Sequence, residues 1–196
     1  MNLNFLGDAL DHWKGSLFQS LCAAQALRDF AVDPMVTDQK SWKAADFDVL
    51  AHLLRITPAQ VIRHQVTLRE RAKYFGEISH QGDLFLDPDT GVATGRVKES
   101  HVSPSEIRQL LDGSTNRLLI VYQHVGGKPV AHRVHEVMNT LGGVIGGFSA
   151  CSYESGTVAM LFLARVPART VLVAEHFETL LGRHAVGRVR SFEFRG

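Results

Sequence analysis

Cysteine is scarce in this chain. Its two cysteines, Cys22 and Cys151, stand far apart among 196 residues with no Cys-x-x-Cys pair. That excludes a zinc ribbon and a disulfide-stapled scaffold. Both lie in apolar runs, so buried free thiols are expected. Long hydrophobic runs are missing too. No stretch reaches the roughly 18 to 20 apolar residues of a membrane helix. The opening MNLNFLGDALDHWKG lacks the basic region and apolar core of a signal peptide. A cytoplasmic protein without membrane association is the expectation. Charge of one sign is absent as well: 21 Lys and Arg stand against 20 Asp and Glu, net +1. No global field draws the chain to nucleic acid, although a local basic patch stays open. Ten histidines include no His-Glu-x-x-His spacing, which removes the commonest zinc-hydrolase signature. Internal repeats, low-complexity tracts and linkers are also lacking, so residues 1–196 are expected to form a single domain.

The composition that remains is globular, with 45% hydrophobic and 21% charged residues, enough for a substantial core. Apolar residues recur every three or four positions in segment 8–28 (Leu10, Trp13, Leu17, Leu21, Ala24), which predicts a helix. Helices are also predicted over 44–54, over TPAQVIRHQVTLRERAKYF with Thr57 as cap and Pro58 at its first position, over 129–141 and over 169–182. SPSEIRQLLDG predicts a short helix with a Ser103–Glu106 capping box, stopped by Gly113. Strands are expected around Met35 to Thr37, at Leu84 to Leu86, at Leu118 to Tyr122, and in FSACSY, VAMLFLAR and VRSFEF. The turn Glu154-Ser155-Gly156 joins FSACSY to VAMLFLAR as a hairpin. Continuous apolar strands such as LLIVY need cover on both faces. The fold class is therefore α/β: a Rossmann-like, doubly wound, mostly parallel sheet with a C-terminal antiparallel hairpin. The hairpin's VAMLFLAR strand is a possible edge-pairing surface.

In such sheets ligands bind beyond the carboxyl ends of the strands. Three of these ends are polar: Thr37-Asp38, Asp87-Pro88-Asp89 and Tyr122-Gln123-His124. If the strands are neighbours, these groups converge at the lip of a cleft. Asp-Pro-Asp-Thr-Gly is equally good turn chemistry. Asp8, Asp11 and Lys14 recur at intervals of three in the first helix. They read either as a cap plus an exposed ion pair or as charges brought to the cleft. Arg96, Lys98, Ser100 and His101 fall in a loop suited to a phosphate or nucleotide, or simply to solvent. Asp87 and Asp89, with Asp8 or Asp11, also offer the hard oxygens that suit magnesium.

The motifs GDALDHWKG, PMVTD, LFLDPDTG and LLIVYQH, in this order and over most of the chain, resemble a group of uncharacterised bacterial proteins. That group has a Gly-Asp-x-x-Asp-x-x-Lys opening and Asp-Pro-Asp-x-Gly and Tyr-Gln-His strand ends. More remotely, the arrangement resembles Rossmann-like S-adenosylmethionine-dependent methyltransferases of the ribosomal-RNA adenine type. There an N-terminal helix with an Asn-x-x-Asp-x-x-Lys-His run contributes to the cofactor site, and Asp-Pro-Pro-Tyr ends the catalytic strand. Asp87-Pro88 matches that start and Asp89-Thr90 departs from it. The stacking aromatic and the Asp-x-Gly-x-Gly loop are missing.

The resemblance implies a methyltransferase-like domain acting on a nucleic acid or nucleotide. Asp87, Asp89 and His124 are its candidate catalytic residues. Asp8, Asp11, Lys14 and Asp38 would bind S-adenosylmethionine, and Tyr122, Gln123, Arg96 and Lys98 the substrate. Two alternatives stand beside it. One is a magnesium-dependent nuclease or phosphoesterase, of the kind used in phage defence, with Asp87 and Asp89 on magnesium and Lys14 or His124 on the phosphate. The other is a catalytically silent binding module.

Overall fold

The apolar run LLIVY receives cover on both faces, as its composition requires. In the computed structural model, residues 1–37, 41–114 and 116–195 are described. Among them lies a six-stranded sheet. Its spatial order is β1 (Ala31–Asp33), β2 (Leu84–Leu86), β5 (Leu118–His124), β7 (Val158–Ala164), β6 (Phe148–Ser155) and β8 (Val189–Phe194). A separate parallel pair joins β3 (Gly91–Val92) to β4 (His101–Val102). β1, β2 and β5 run parallel. β7 is antiparallel to both β5 and β6, so β6 again runs with the first three strands. β8 closes the far edge antiparallel to β6.

Six helices among the described residues clad this sheet: α1 (Ala9–Ala23), α2 (Ala44–Leu54), α3 (Arg71–Gly76), α4 (Pro104–Asp112), α5 (Val130–Ile145) and α6 (Pro167–Leu181). Strand alternation sorts the core into two clusters. Phe85, Ile120 and Phe162 meet Phe18, Leu50 and Phe177 of α1, α2 and α6. Leu86, Val121 and Leu161 meet Phe75, Ile107 and Met138 of α3, α4 and α5. The doubly wound expectation thus holds. The capping box of α4 also forms as its sequence predicts: Glu106 N donates to Ser103 Oγ at 3.3 Å, and Ser103 N to Glu106 Oε2 at 2.8 Å. Helix α1 crosses α2 closely at Gly15, where a Cβ would lie 2.2 Å from Leu53 O.

Several expectations need correction. The first strand lies at Ala31–Asp33 rather than Met35 to Thr37. Pro34 has no N–H to continue the ladder, Met35 has φ +47°, and Val36 makes only an isolated bridge to Gln65. The long helix expected from Thr57 does not form. A 3-10 turn at Pro58–Gln60 gives way to an extended run with parallel bridges Val32↔Val61 and Val36↔Gln65. Ile62 N and Val66 N donate to Val32 O and Val36 O at 2.8 and 3.0 Å. The β-branched Val61, Ile62 and Val66 suit that role, and the sheet edge gains partners for its carbonyls. Helix resumes only at α3. VAMLFLAR is no edge: β7 is fully buried between β5 and β6. Cys151 is buried and free as expected, whereas Cys22 is exposed, off the buried stripe of α1. No helix among the described residues is long and apolar enough to cross a membrane.

This topology positions a site. From β1 the chain passes through α2 to the extended segment on one side. It then returns through α3 to β2 on the other side of β1. The winding reverses there, and the crevice between the carboxyl ends of β1 and β2 is the switch point where open α/β sheets bind ligands.

Candidate functional site

Alternation along each strand decides which polar end reaches which face. Phe85 points to the α1 side, so Asp87, two residues on, emerges on that side as well. Tyr122 and His124 follow Ile120 to the same face, whereas Gln123 is turned to the other. Asp8 caps α1, its Oδ1 accepting from Leu10 N and Asp11 N at 2.8 and 3.1 Å. Such a cap contributes about 1 kcal/mol. It fixes the first turn so that Asp11 and Lys14 face the sheet.

Lys14 is the hinge of the arrangement. Its Nζ donates to Asp11 Oδ1 at 3.1 Å and to Asp87 Oδ2 at 2.8 Å, and lies 4.4 Å from the centroid of the Tyr122 ring. All three charged side chains are buried, so the exposed-ion-pair reading of Asp11 and Lys14 does not hold. Burial alone would lower the ammonium's pKa. The carboxylates of Asp87 and Asp11 outweigh it, and Lys14 titrates above the ordinary lysine value. Asp11 is pushed up by burial, with Lys14 and the Gly7 amide opposing. Burial also lowers His124 against the pull of Asp87. The Tyr122 phenol is driven well above its ordinary range, first by burial and then by Asp87. Its hydroxyl has no partner among the described residues.

These groups enclose a cavity of 240 Å³ lined by Met1, Asn2, Phe5, Asp8, Leu10, Asp11, Lys14, Asp87, Pro88, Asp89, Tyr122 and His124. The structure therefore brings together Asp8, Asp11, Lys14, Asp87, Asp89, Tyr122 and His124. It does not bring in Gln123, which is fully buried and occupied in holding the loop after β2. Gln123 Oε1 accepts from Val92 N at 2.8 Å, and Nε2 donates to Thr90 O and His124 O at 3.2 and 2.6 Å. Gly91, at φ +105°, is required there, because a Cβ would lie 2.4 Å from the Gln123 amide. Arg96 and Lys98 line a separate open depression with Thr37, Leu68 and Ser100. Asp38 lies outside the described residues.

Met1 and Phe5 are cavity residues with no motif to betray them. Phe5, 60% exposed in the structure, sits among Leu3 and Leu6 in the sequence and leaves no signal there. Asp33 is a further buried acid missed by pattern reading. It faces away from the cavity, accepting from Tyr74 Oη at 2.5 Å and Met35 N at 2.8 Å. Burial holds its pKa up at about 6 against those hydrogen bonds.

No family model matches the chain, and no curated protein does. Among solved structures it is similar to LPL1258 from Legionella pneumophila, a protein assigned to the family model DUF519. The likeness is 14% identity at a TM-score of 0.43, over 89% of this chain and 64% of that one. The chain thus spans just under two thirds of the length of that protein.

Proposed function

We propose that this is a methyltransferase-like α/β domain acting on a nucleic acid or nucleotide, with its chemistry at the switch-point cavity. The observation that carries the reading is Asp87. A buried carboxylate stands at the end of β2, held by Lys14 from the N-terminal helix and opening into an acid-lined cavity. Asp8, Asp11, Asp87 and Asp89 line it together with Lys14, which pairs with Asp11 and Asp87. The lining is net negative, which favours a cationic or neutral guest over a phosphate.

S-adenosylmethionine supplies an electrophilic methyl group on a sulfonium sulfur. The donor set fits the cationic end of that molecule. Asp8, Asp11 and Asp89 would hold it, and the unpartnered Tyr122 hydroxyl is an open hydrogen-bonding group beside them. The cavity's 240 Å³ lies below the roughly 300–1,000 Å³ of ordinary ligand pockets, so residues 1–5 must move for a whole molecule to enter. Asp87 accepts a hydrogen bond from the acceptor amine and orients it. Lys14 is a positioning residue that fixes the Asp87 carboxylate, and His124 stands at the lip.

The magnesium-dependent phosphoesterase has less support. Lys14 Nζ already sits between Asp11 and Asp87, so of the carboxylates offered to magnesium Asp87 is already paired with a cation. Among the described residues no cluster of three His, Cys, Asp or Glu has ligand spacing. Thermal unfolding with S-adenosylmethionine, its demethylated product or magnesium tests the reading. Ligand at a hundred times its dissociation constant adds about 2.7 kcal/mol, a rise of roughly 5–10 °C for a chain of this size. The adenosyl ligands should give that rise in the wild type, and Asp87→Ala should abolish methyl transfer to nucleic acid. A rise with magnesium alone would move the assignment to the phosphoesterase. No rise with any of the three would leave the silent binding module.

A further inference from the structure

Phe5 stands apart from the other aromatic side chains. It is 60% exposed, whereas every other Phe, Tyr and Trp among the described residues is buried or half-buried. A single exposed apolar residue is ordinary on a protein surface. The setting of this one is not. It ends the 3-10 turn Leu3–Phe5, which Asn2 caps with its side chain. Phe5 O accepts from Asp8 N at 3.2 Å, and this ties the turn to the capped start of α1. Leu3 and Leu6 pack against the core cluster on the α1 side, and Phe5 between them does not. Its ring instead lines the cavity that Asp87, Pro88, Tyr122 and His124 enter from the strand ends. Two leucines anchor the turn and an aromatic face is left at the cavity mouth.

Asp87 defines the guest that could use such a face. Lys14 Nζ donates to its Oδ2 at 2.8 Å, and Oδ1 has no hydrogen-bond partner among the described residues. An ionised carboxylate only accepts hydrogen bonds, so the guest beside it must donate. A planar guest with a donor on its edge meets both groups at once, its face on Phe5 and its edge on Asp87. Adenine and cytosine carry an exocyclic amine there, where thymine and uracil carry a carbonyl oxygen. We infer that Phe5 is the stacking residue for the acceptor, a nucleobase with an exocyclic amine, taken unpaired from a single strand with its amine toward Asp87 Oδ1. Stacking itself is tolerant of sequence, because every base has a π face. Selection for the amine therefore falls to Asp87.

The inference rests on the proposed function for the acceptor alone and makes no use of the methyl donor. Its test is binding of the full chain to a short single-stranded oligonucleotide with one adenine among uracils, beside a strand of uracils alone. The wild type should bind the adenine strand about tenfold more tightly, the discrimination expected of a hydrogen bond to a charged group. Phe5→Ala and Phe5→Leu should each weaken that binding about tenfold or more, the loss expected of one base–aromatic stack. Their melting temperatures should stay at the wild-type value, since Phe5 is no part of the core. Phe5→Trp should retain the affinity, and the adenine strand should quench its added indole emission in a saturable way. Leucine keeps apolar bulk and loses the ring, so the set separates stacking from packing. Equal binding of the two strands, wild-type affinity in Phe5→Leu, an unquenched indole in the bound Phe5→Trp protein, or a wild type that binds neither strand overturns the inference. Quenching without any thermal response to S-adenosylmethionine would uphold the inference and sink the methyltransferase reading. Methyl transfer by Phe5→Ala at the wild-type rate would do the reverse.

Discussion

Replacing Lys14 by methionine keeps most of the side chain's volume and removes its charge. The change leaves Asp11 and Asp87 facing one another with side-chain exposures of 1% and 5% and no cation between them. Deleting one partner of a buried ion pair typically costs about 3–5 kcal/mol, because the remaining charge is stranded. That is a large fraction of the 5–15 kcal/mol stability of an ordinary domain. The stranded charge can be relieved only by taking up a proton. The loss should therefore be full near pH 7.5 and shrink as the pH is lowered toward 4. Urea unfolding at pH 7.5, 6.0 and 4.5 measures this directly, and the low-pH point remains accessible if the variant is marginal at neutrality. Adding Asp87→Asn to the variant should recover at least about 1 kcal/mol at pH 7.5, since one stranded charge is gone. A loss below about 1 kcal/mol at pH 7.5, or the same loss at every pH, would refute the view that Lys14 is the buried counter-ion of the site.

Three further outcomes are expected. The carboxyl group of Asp33 titrates at about 6 in the fold, above the 3.9 or so of an unfolded aspartate. The unfolded chain then releases that proton first, so Asp33 lowers stability as pH rises from 4 to 6, by about 3 kcal/mol in all. Asp33→Asn should remove this slope, and an unchanged pH profile would refute the assignment. Gln123→Leu strips Val92 N and two carbonyls of their partners. A loss of about 1–3 kcal/mol should appear with faster hydrogen exchange at Val92; normal protection there would show that the loop does not depend on Gln123. Gly15→Ala gains at most about 1 kcal/mol of helix propensity but drives a Cβ into the Leu53 carbonyl at 2.2 Å. Net destabilisation by about 1–3 kcal/mol is expected in thermal melts, and a raised melting temperature would show that α1 and α2 separate freely.

What the sequence determined by itself was local. LLIVY announces a strand covered on both faces because it is a continuous apolar run, whereas the interior place of VAMLFLA between β5 and β6 was not legible from its composition. Ser103 and Glu106 announce the start of α4 because the capping box is satisfied within four residues. Asp87 and Tyr122 were legible as strand-end groups for the same reason. The abrupt change from apolar to polar marks where a buried strand emerges. Tertiary structure decided the rest. Val61 to Val66 carries an ambiguous pattern and became extended only because β1 offered it an edge. Gln123 and His124 are adjacent in the chain, yet the two-residue period of the strand sends one to the loop and the other to the cavity. Asp11 and Lys14 are three residues apart, a spacing equally good for a solvated pair. Only the packing of α1 across the end of β2 made them partners of Asp87, 73 residues away.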